Sequence, residues 1–347
     1  MSTQRTTSTP SSVGREVRLR SRPTDGAATL ENFELVDVAI PAPEPGQVLV
    51  RNTWMSVDPY MRGRMEDRES YIAPFRLGAP LEGSAFGVVT ASRSTTVPVG
   101  ATVTHFAGWR THAVLDARAV TPADTAQARP EDHLGALGTT GLSAYIALTE
   151  TAPVREGDVV LVSAAAGAVG SVAGQLARLF GASRVIGSAG GPTKAQRAVT
   201  DFGFDAVIDY TSGGVAGQLA RHAPEGIDVY VDLVGGEHLD AALGALRTGG
   251  RVAIVGAISD SHATTPPRGP ANFHRALPKR LSLRGMLVSD HLDRHAEYVG
   301  RAATWIKEGS LRTATTVVDG LENAPEALLS LFRGANTGKL LIRLTDE

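Results

Sequence analysis

The 347-residue sequence contains no cysteine. Disulfide bonds, thiolate nucleophiles and zinc sites built on cysteine ligands are therefore excluded. The nine histidines show no metal-ligand spacing, so we predict no metal site. An excess of charge of one sign is also missing, because 34 basic residues face 36 acidic ones. This balance predicts no basic surface for nucleic acid and no polybasic patch for a membrane, and no apolar run is long enough to span a bilayer.

The pattern of the sequence changes near residue 135. Short β-like runs separated by proline and glycine turns precede this point and predict a small barrel or sandwich. Strand and helix patterns alternate after it, which is typical of βαβ units and a parallel sheet. The predicted strands of this region are 158–163, 184–188, 206–209, 228–233, 251–255 and 282–288.

A chain of this length, with these two patterns, predicts two domains of the α/β class. We predict a β-rich domain in residues 15–134, a domain with a doubly wound parallel sheet in residues 135–308, and further strands and one helix in residues 309–347. Residues 1–14 are rich in serine and threonine and poor in acid. We predict a disordered tail there, with a transit peptide as the alternative.

The stretch "LVSAAAGAVGSVAGQLARLFG", residues 161–181, lies at the first βα turn of the alternating region. It has Ala165 where the dinucleotide-binding fingerprint has its first glycine, followed by Gly167 and Gly170. Small residues let a pyrophosphate approach the backbone amides at a helix N-terminus, where the dipole favours an anion. Ala165 can make the tight turn if its backbone stays in an ordinary φ/ψ region. A glycine-rich helix start without a ligand is the alternative, but the surrounding alternation favours nucleotide binding.

The tip of the second strand predicts which nucleotide binds. This tip, residues 187–191, contains no acid that could hold the ribose 2′-hydroxyl of NAD. Lys194 follows the tip, and Tyr210 ends the third strand. A missing carboxylate removes repulsion for a 2′-phosphate and a lysine adds a counter-charge, so we predict NADP(H). In the alternative, Lys194 is a solvated lysine at a helix start and Tyr210 is a core aromatic residue.

Seven motifs together resemble one known family. They are "SRPTDG" (21–26), "SVDPYMRGRM" (56–65), "GALGTTGLSAY" (135–145), "AAAGAVGSVAGQLARLFG" (164–181), "VDLVGG" (231–236), "VGAIS" (255–259) and "GANTGK" (334–339). The chain resembles the medium-chain dehydrogenase/reductase superfamily. Within it, the chain is most similar to the zinc-free branch of prostaglandin reductases, leukotriene B4 12-hydroxydehydrogenases and alkenal double-bond reductases. This resemblance implies that residues 15–134 and 309–347 form a GroES-like barrel domain and that residues 135–308 form a Rossmann domain.

The resemblance also implies an activity, namely reduction by NADPH of a carbon–carbon double bond conjugated to a carbonyl. Hydride passes to the β-carbon and a proton to the α-carbon of an enone or alkenal. No metal takes part, which agrees with "LEGSAFG" (81–87), where zinc-bearing relatives have Gly-His-Glu. The implied NADPH-binding residues are Gly167, Ala168, Val169, Gly170, Lys194, Tyr210, Val255, Gly256, Ala257, Ile258, Ser259, Met286, Leu287, Val288 and Asn336.

Four further residues are implied near the substrate. The resemblance gives Tyr60 a catalytic role and Tyr71 a place in the substrate pocket, although each could instead be a structural tyrosine. The family usually has a tyrosine and an asparagine where this chain has Ser261 and His262, which we assign to a catalytic position and to the pocket. Serine is shorter and a poorer acid than tyrosine. Three donors to the substrate therefore stay open: the ribose 2′-hydroxyl of the cofactor, Tyr60 and His262.

Two other functions also stay open. One is a quinone oxidoreductase of the same superfamily that uses NADPH. The other is a catalytically weak NADPH-binding scaffold or sensor, which the serine at position 261 would allow. The sixth strand is an apolar edge and relatives pair this edge across a twofold axis, so we predict a homodimer. We expect a cytoplasmic location.

Overall fold

A computed structural model describes residues 13–24, 27–126, 128–260 and 268–344. The predicted tail, as far as residue 12, lies outside the described residues. Strand β1 (Val13–Leu19) begins at Val13, so residues 13 and 14, which we predicted to be tail, are part of a strand. They pair with Ala39 and Val38 of the next strand.

The remaining strands of the described ranges are β2 (Phe33–Ala39), β3 (Gln47–Ser56), β4 (Ala85–Ser92), β5 (Thr102–His105), β6 (His112–Asp116), β7 (Thr121–Pro122), β8 (Val159–Val162), β9 (Arg184–Ala189), β10 (Ala206–Asp209), β11 (Ile227–Asp232), β12 (Leu246–Ile254), β13 (Ser282–Gly285), β14 (Thr315–Asp319) and β15 (Lys339–Arg343). The α-helices are α1 (Tyr60–Arg64), α2 (Pro130–Leu134), α3 (Thr139–Ile146), α4 (Ala168–Leu179), α5 (Pro192–Phe202), α6 (Val215–His222), α7 (Gly236–Ala245), α8 (Ala276–Lys279), α9 (His295–Lys307) and α10 (Ala324–Phe332).

Strands β8 to β13 form one parallel sheet in the order β10-β9-β8-β11-β12-β13. Numbered from β8, this is the 3-2-1-4-5-6 order of a Rossmann domain. The predicted α/β class is therefore confirmed. Two boundaries differ from the predicted ones by more than one residue: β12 begins five residues earlier, at Leu246, and β13 ends three residues earlier, at Gly285.

Helices cover both faces of the parallel sheet. In β8, Val160 and Val162 belong to one hydrophobic cluster, while Leu161 between them belongs to another on the opposite face. The same alternation occurs in β11, where Val229 faces the first cluster and Tyr230 the second. Since successive side chains of a strand point to opposite faces, these two strands are buried on both sides of the sheet.

The β-rich domain contains a two-stranded sheet, β1-β2, and a seven-stranded sheet in which β14, β15, β3, β4, β5 and β7 follow one another and β6 pairs with β3. Its pairs are antiparallel except for β14 with β15. Its core joins Val17 and Met61 to Leu328 and Ile342. The chain therefore leaves this domain, forms the Rossmann domain, and returns to complete the seven-stranded sheet.

Candidate functional site

The predicted phosphate-binding turn connects β8 to α4. Ala165 keeps an ordinary backbone conformation, and the left-handed conformation falls on Ala164, whose φ is 48°. A methyl group at Gly170 would lie 2.2 Å from the Ala164 carbonyl oxygen, and one at Gly167 would lie 3.1 Å from it. The two glycines thus let the start of α4 pack closely on the turn. No side chain caps the first turn of α4, so its amides are left for an anion.

Two further predicted segments follow the carboxyl ends of strands, at the same edge of the sheet. Segment 255–259 follows β12, and its first amide donates to the Asp232 carbonyl at 2.9 Å. Segment 286–288 follows β13, and its first amide donates to the Ile254 carbonyl at 3.0 Å. In open α/β sheets, ligands bind outside this edge. The structure therefore brings both segments to the edge of the sheet at which the turn between β8 and α4 also lies.

Lys194 and Tyr210 lie near the acid-free tip of β9. Lys194 is in the first turn of α5 and is partly buried, which lowers the pKa of its ammonium group. No carboxylate of the described residues pairs with it. The Tyr210 hydroxyl packs against Gly190, where a methyl group would lie 2.6 Å from the oxygen. A half-buried cation and a phenol beside the tip fit a 2′-phosphate.

One acid near the tip was missed by the sequence reasoning. Asp209 ends β10, and its carboxylate accepts the Gly191 amide at 2.9 Å and the Thr211 hydroxyl at 2.7 Å. The Thr211 hydroxyl is the main cause that lowers the pKa of Asp209, so the group is ionised and bound to its own turn. The string "VIDY" contains this acid, but its spacing does not show that the carboxylate turns toward Gly191.

Asn336 lies on the returning segment, close to the phosphate-binding turn. Its side-chain amide donates to the Gly338 carbonyl at 2.8 Å and so shapes its own loop. The Gly338 amide in turn donates to the Ala166 carbonyl at 2.7 Å, and Gly338 forms a β-bridge with Gly167. Asn336 thus lies two residues before Gly338, which contacts the phosphate-binding turn.

Tyr60 is the first residue of α1, directly after Pro59. Its hydroxyl is closed off from solvent and has no hydrogen-bond partner among the described residues. Burial, and then the nearby Asp58 carboxylate, raise the pKa of Tyr60 well above its usual value. Tyr71 is 61% exposed and contributes to the same shift, so the two phenols lie near each other. Its own pKa is raised mainly by burial.

Two further residues near Tyr60 were missed by the sequence reasoning. Trp109 is fully buried in a left-handed backbone conformation, with φ of 61°, and its indole N–H has no partner in the described part of the chain. This N–H and the Tyr60 hydroxyl lie 3.7 and 3.5 Å from the point where a methyl group at Gly83 would stand. Arg64 lies beneath them, with its guanidinium 4.0 Å from the centre of the Phe75 ring.

An ion pair next to Tyr60 was also missed. Lys339 donates to Asp58, which in addition accepts the Ser56 hydroxyl. The Lys339 and Asp58 side chains are only 4% and 14% exposed. Both residues lie within quoted motifs, but 281 residues separate them, so no local pattern could have paired them.

The predicted Ser261 and His262 lie outside the described residues, and their roles stay predictions. Within the described ranges, no group of three or more histidine, aspartate or glutamate side chains could hold a metal ion. No helix of the same ranges is long and apolar enough to cross a membrane.

The chain matches two family models. One, described as the N-terminal domain of oxidoreductase, matches residues 15–123. The other, described as zinc-binding dehydrogenase, matches residues 168–307. The first match covers most of the β-rich domain that precedes the turn, and the second begins at the first residue of α4.

Two relatives that the chain matches over more than nine-tenths of their length are NADP-dependent reductases. The chain is 36% identical to the NADPH-dependent curcumin reductase of Escherichia coli (strain K12), over 95% of this chain and 96% of that protein. It is 34% identical to the NADP(+)-dependent 2-alkenal reductase of Nicotiana tabacum, over 90% of this chain and 92% of that protein. The crystal structure of CurA in complex with NADPH from Vibrio vulnificus has a TM-score of 0.91 and 38% identity, covering 96% of this chain and 100% of that one.

The chain therefore belongs to the medium-chain dehydrogenase/reductase superfamily, in its zinc-free branch of alkenal and curcumin reductases. It is an NADP-dependent oxidoreductase that acts on carbon–carbon double bonds, and its cofactor is NADPH. The predicted family, enzyme class and cofactor are thereby confirmed.

Proposed function

We propose that the enzyme reduces the double bond of α,β-unsaturated ketones and aldehydes, with hydride added at the β-carbon and a proton at the α-carbon. The observation that carries this proposal is the Tyr60 hydroxyl, a buried donor without a partner among the described residues. Negative charge develops on the carbonyl oxygen during such a reduction, and a donor in a site that excludes water lowers the barrier.

The residues of the Rossmann domain hold NADPH, which supplies the hydride when it is bound. The amides of the turn from Gly167 to Gly170 bind the pyrophosphate, and the absence of side chains at the two glycines allows the close approach. Lys194 and Tyr210 bind the 2′-phosphate. The segments 255–259 and 286–288 line the ribose and nicotinamide side, and Asn336 closes the site from the returning segment.

The β-rich domain orients the substrate. Tyr60 donates a hydrogen bond to the carbonyl oxygen, and its raised pKa keeps the phenol protonated at neutral pH. Tyr71, which is mostly exposed, forms the outer wall of the pocket. Ser261 and His262 follow segment 255–259 in the sequence, and we propose for them the catalytic and pocket roles given above. The ribose 2′-hydroxyl and His262 remain alternative donors.

The relatives support an enone substrate. Curcumin and 2-alkenals, the compounds named for the two reductases, both contain a carbon–carbon double bond conjugated to a carbonyl. A quinone is the alternative acceptor, and a weakly active NADPH-binding scaffold is the alternative function. The proposed location is the cytoplasm, where an NADPH-dependent reductase has its cofactor supply.

Isotope placement separates these functions. The purified protein is incubated with NADPH deuterated at the transferred position and with a 2-alkenal or a diaryl dienone. We expect a product heavier by one deuterium and one hydrogen, with the deuterium at the β-carbon, and incorporation of solvent deuterium at the α-carbon when D₂O is used. Oxidation of NADPH by a quinone alone would indicate the quinone reductase, and tight binding of NADPH without turnover would indicate the scaffold.

We also propose a homodimer built on the edge strand β13. The outer edge of β13 is unpaired within the described part of the chain. The segment that precedes it exposes two large apolar side chains, Phe273 (59%) and Leu277 (86%). Exposed strand edges and apolar patches favour association. Light scattering should give twice the 36.3 kDa chain mass, and a single 36.3 kDa species at micromolar concentration would contradict the dimer.

A further inference from the structure

Two consecutive residues, Gly338 and Lys339, contact both halves of the site. The Gly338 amide donates to the Ala166 carbonyl at 2.7 Å, inside the phosphate-binding turn. The Lys339 side chain forms a buried ion pair with Asp58, two residues before Tyr60. The cofactor turn and the motif that contains Tyr60 are therefore joined through two adjacent residues, which we name the 338–339 link.

The backbone of the 338–339 link has little room to move. Gly338 has a φ of 67°, and a methyl group there would lie 2.0 Å from the Ala314 carbonyl oxygen. The Lys339 amide donates to that same Ala314 carbonyl at 2.9 Å. The next residue, Leu340, accepts the Val57 amide at 3.2 Å, inside the "SVDPYMRGRM" motif. A shift of the phosphate-binding turn would therefore move the link as a unit.

The ion pair fixes the part of the motif that bears Tyr60. Asp58 receives the Lys339 ammonium on one carboxylate oxygen and the Ser56 hydroxyl on the other. Its charge acts directly on the Tyr60 phenol, since it is the second cause of the raised pKa of that residue. Removal of one partner of a buried ion pair leaves an uncompensated charge. The surrounding structure must then rearrange so that water can reach this charge. The position of Tyr60 therefore depends on Lys339.

We propose that Lys339 is a positioning residue that transmits occupancy of the NADPH phosphate site to the Tyr60 motif. Lys339 acts through Asp58 and does not touch the substrate. The proposal rests on the role assigned to Tyr60 under the proposed function. Its main test needs no enone, so a failure of the link and a failure of the proposed activity give different results.

Amide hydrogen exchange with and without NADPH tests the link. In the unmodified protein, NADPH should slow exchange by about fivefold or more both in the turn, residues 164–170, and in the motif, residues 57–65. In Lys339→Met the turn should keep its protection, while that of the motif falls below about twofold. Lys339→Arg should restore the NADPH-induced protection of the motif. Arg343→Met, on the same strand, is the matched control, because its pair with Asp319 is about half exposed.

Kinetics and cofactor affinity complete the test. Lys339→Met should lower kcat about tenfold or more and change the dissociation constant of NADPH, measured by its fluorescence, by less than about threefold. A loss of NADPH affinity above tenfold would mean that Lys339 binds the phosphate itself and would overturn the proposal. So would equal NADPH-induced protection of residues 57–65 in Lys339→Met and in the unmodified protein.

The double variant Lys339→Met/Asp58→Asn covers the case in which Lys339→Met alone does not fold. It removes both charges and should therefore regain thermal stability. If the ion pair only stabilises the fold, kcat and the protection of the motif return with the Tm, and the proposal is wrong. If Lys339 positions the motif, the Tm returns while kcat and the protection stay low.

Discussion

The hydroxyl of Tyr210 occupies the space that Gly190 leaves open at the tip of β9, since a methyl group on Gly190 would lie 2.6 Å from that oxygen. The Lys194 ammonium, on α5, lies 3.6 Å from the point where a methyl group at Gly334 would stand. It is half-buried and has no carboxylate partner in the described part. We propose that Lys194 and Tyr210 select the phosphorylated cofactor by binding its 2′-phosphate.

Replacement of Lys194 tests this selection. Lys194→Ala should weaken NADPH binding by about 1–3 kcal/mol, because one charge-assisted contact with the 2′-phosphate is lost. NADH, which lacks that phosphate, should bind almost unchanged. The measurement is a fluorescence titration of both cofactors, with Lys307→Ala as a control at an exposed lysine on α9. Equal NADH and NADPH affinities in the unmodified protein would contradict this assignment.

Gly170 and Gly217 form a second pair of matched substitutions. Gly170→Ala places a methyl group 2.2 Å from the Ala164 carbonyl oxygen, which is backbone and cannot swing away. We expect a loss of about 2 kcal/mol or more in the free energy of unfolding and a large loss of NADPH affinity, as for overpacking of a tight site. Gly217→Ala, on α6, meets no atom within 4 Å and should stabilise the protein by about 0.5–1 kcal/mol. Urea unfolding measures both, and a neutral Gly170→Ala would refute the close-packed turn.

Local sequence patterns predicted the parts of the site that short-range rules control. The turn with Gly167 and Gly170 was predicted because backbone approach requires small residues at fixed spacing. The parallel direction of the strands follows from the alternation of strands and helices, since each helix returns the chain to the same end of the sheet. The ion pair between Lys339 and Asp58 and the orphan donor of Trp109 depend instead on how two distant segments pack. No spacing rule contains that information.

Acid sensitivity should come from His105 in the β-rich domain. Its Nδ1 accepts the Ala107 amide at 3.0 Å, and its Nε2 therefore donates to the Asn52 side-chain oxygen at 2.9 Å. Burial, and then the charge of Arg110, lower the pKa of His105 to about 4. In the unfolded chain the histidine takes up a proton near pH 6.5, whereas in the folded state it does so only near pH 4. The contribution of His105 to the free energy of unfolding is therefore complete above pH 6.5 and decreases as the pH falls toward 4.

The size of this effect can be measured by urea unfolding between pH 7 and pH 4.5. His105 should account for a decrease of about 2–3 kcal/mol in the free energy of unfolding over that range. His105→Gln, which removes the titrating ring, should be less stable at pH 7 but should lose less stability on acidification. His274→Gln is the control at an exposed histidine and should retain the steeper dependence. Parallel pH curves for His105→Gln and the unmodified protein would rule out His105 as the cause.

Tyr60→Phe removes one oxygen atom and distinguishes its contribution to stability from its contribution to catalysis. The buried hydroxyl has no partner among the described residues, so its removal should leave the free energy of unfolding unchanged or raise it by up to about 1 kcal/mol. If this hydroxyl donates to the carbonyl oxygen in the transition state, kcat should fall by about 10- to 100-fold.

Tyr71→Phe, at an exposed phenol, and His262→Ala should each change kcat by less than about threefold, or 0.6 kcal/mol in the barrier. Steady-state kinetics and thermal unfolding of the same preparations give both quantities. If Tyr60→Phe leaves kcat unchanged and His262→Ala is inactive, His262 is the donor. If both variants leave kcat unchanged, the ribose 2′-hydroxyl is the donor.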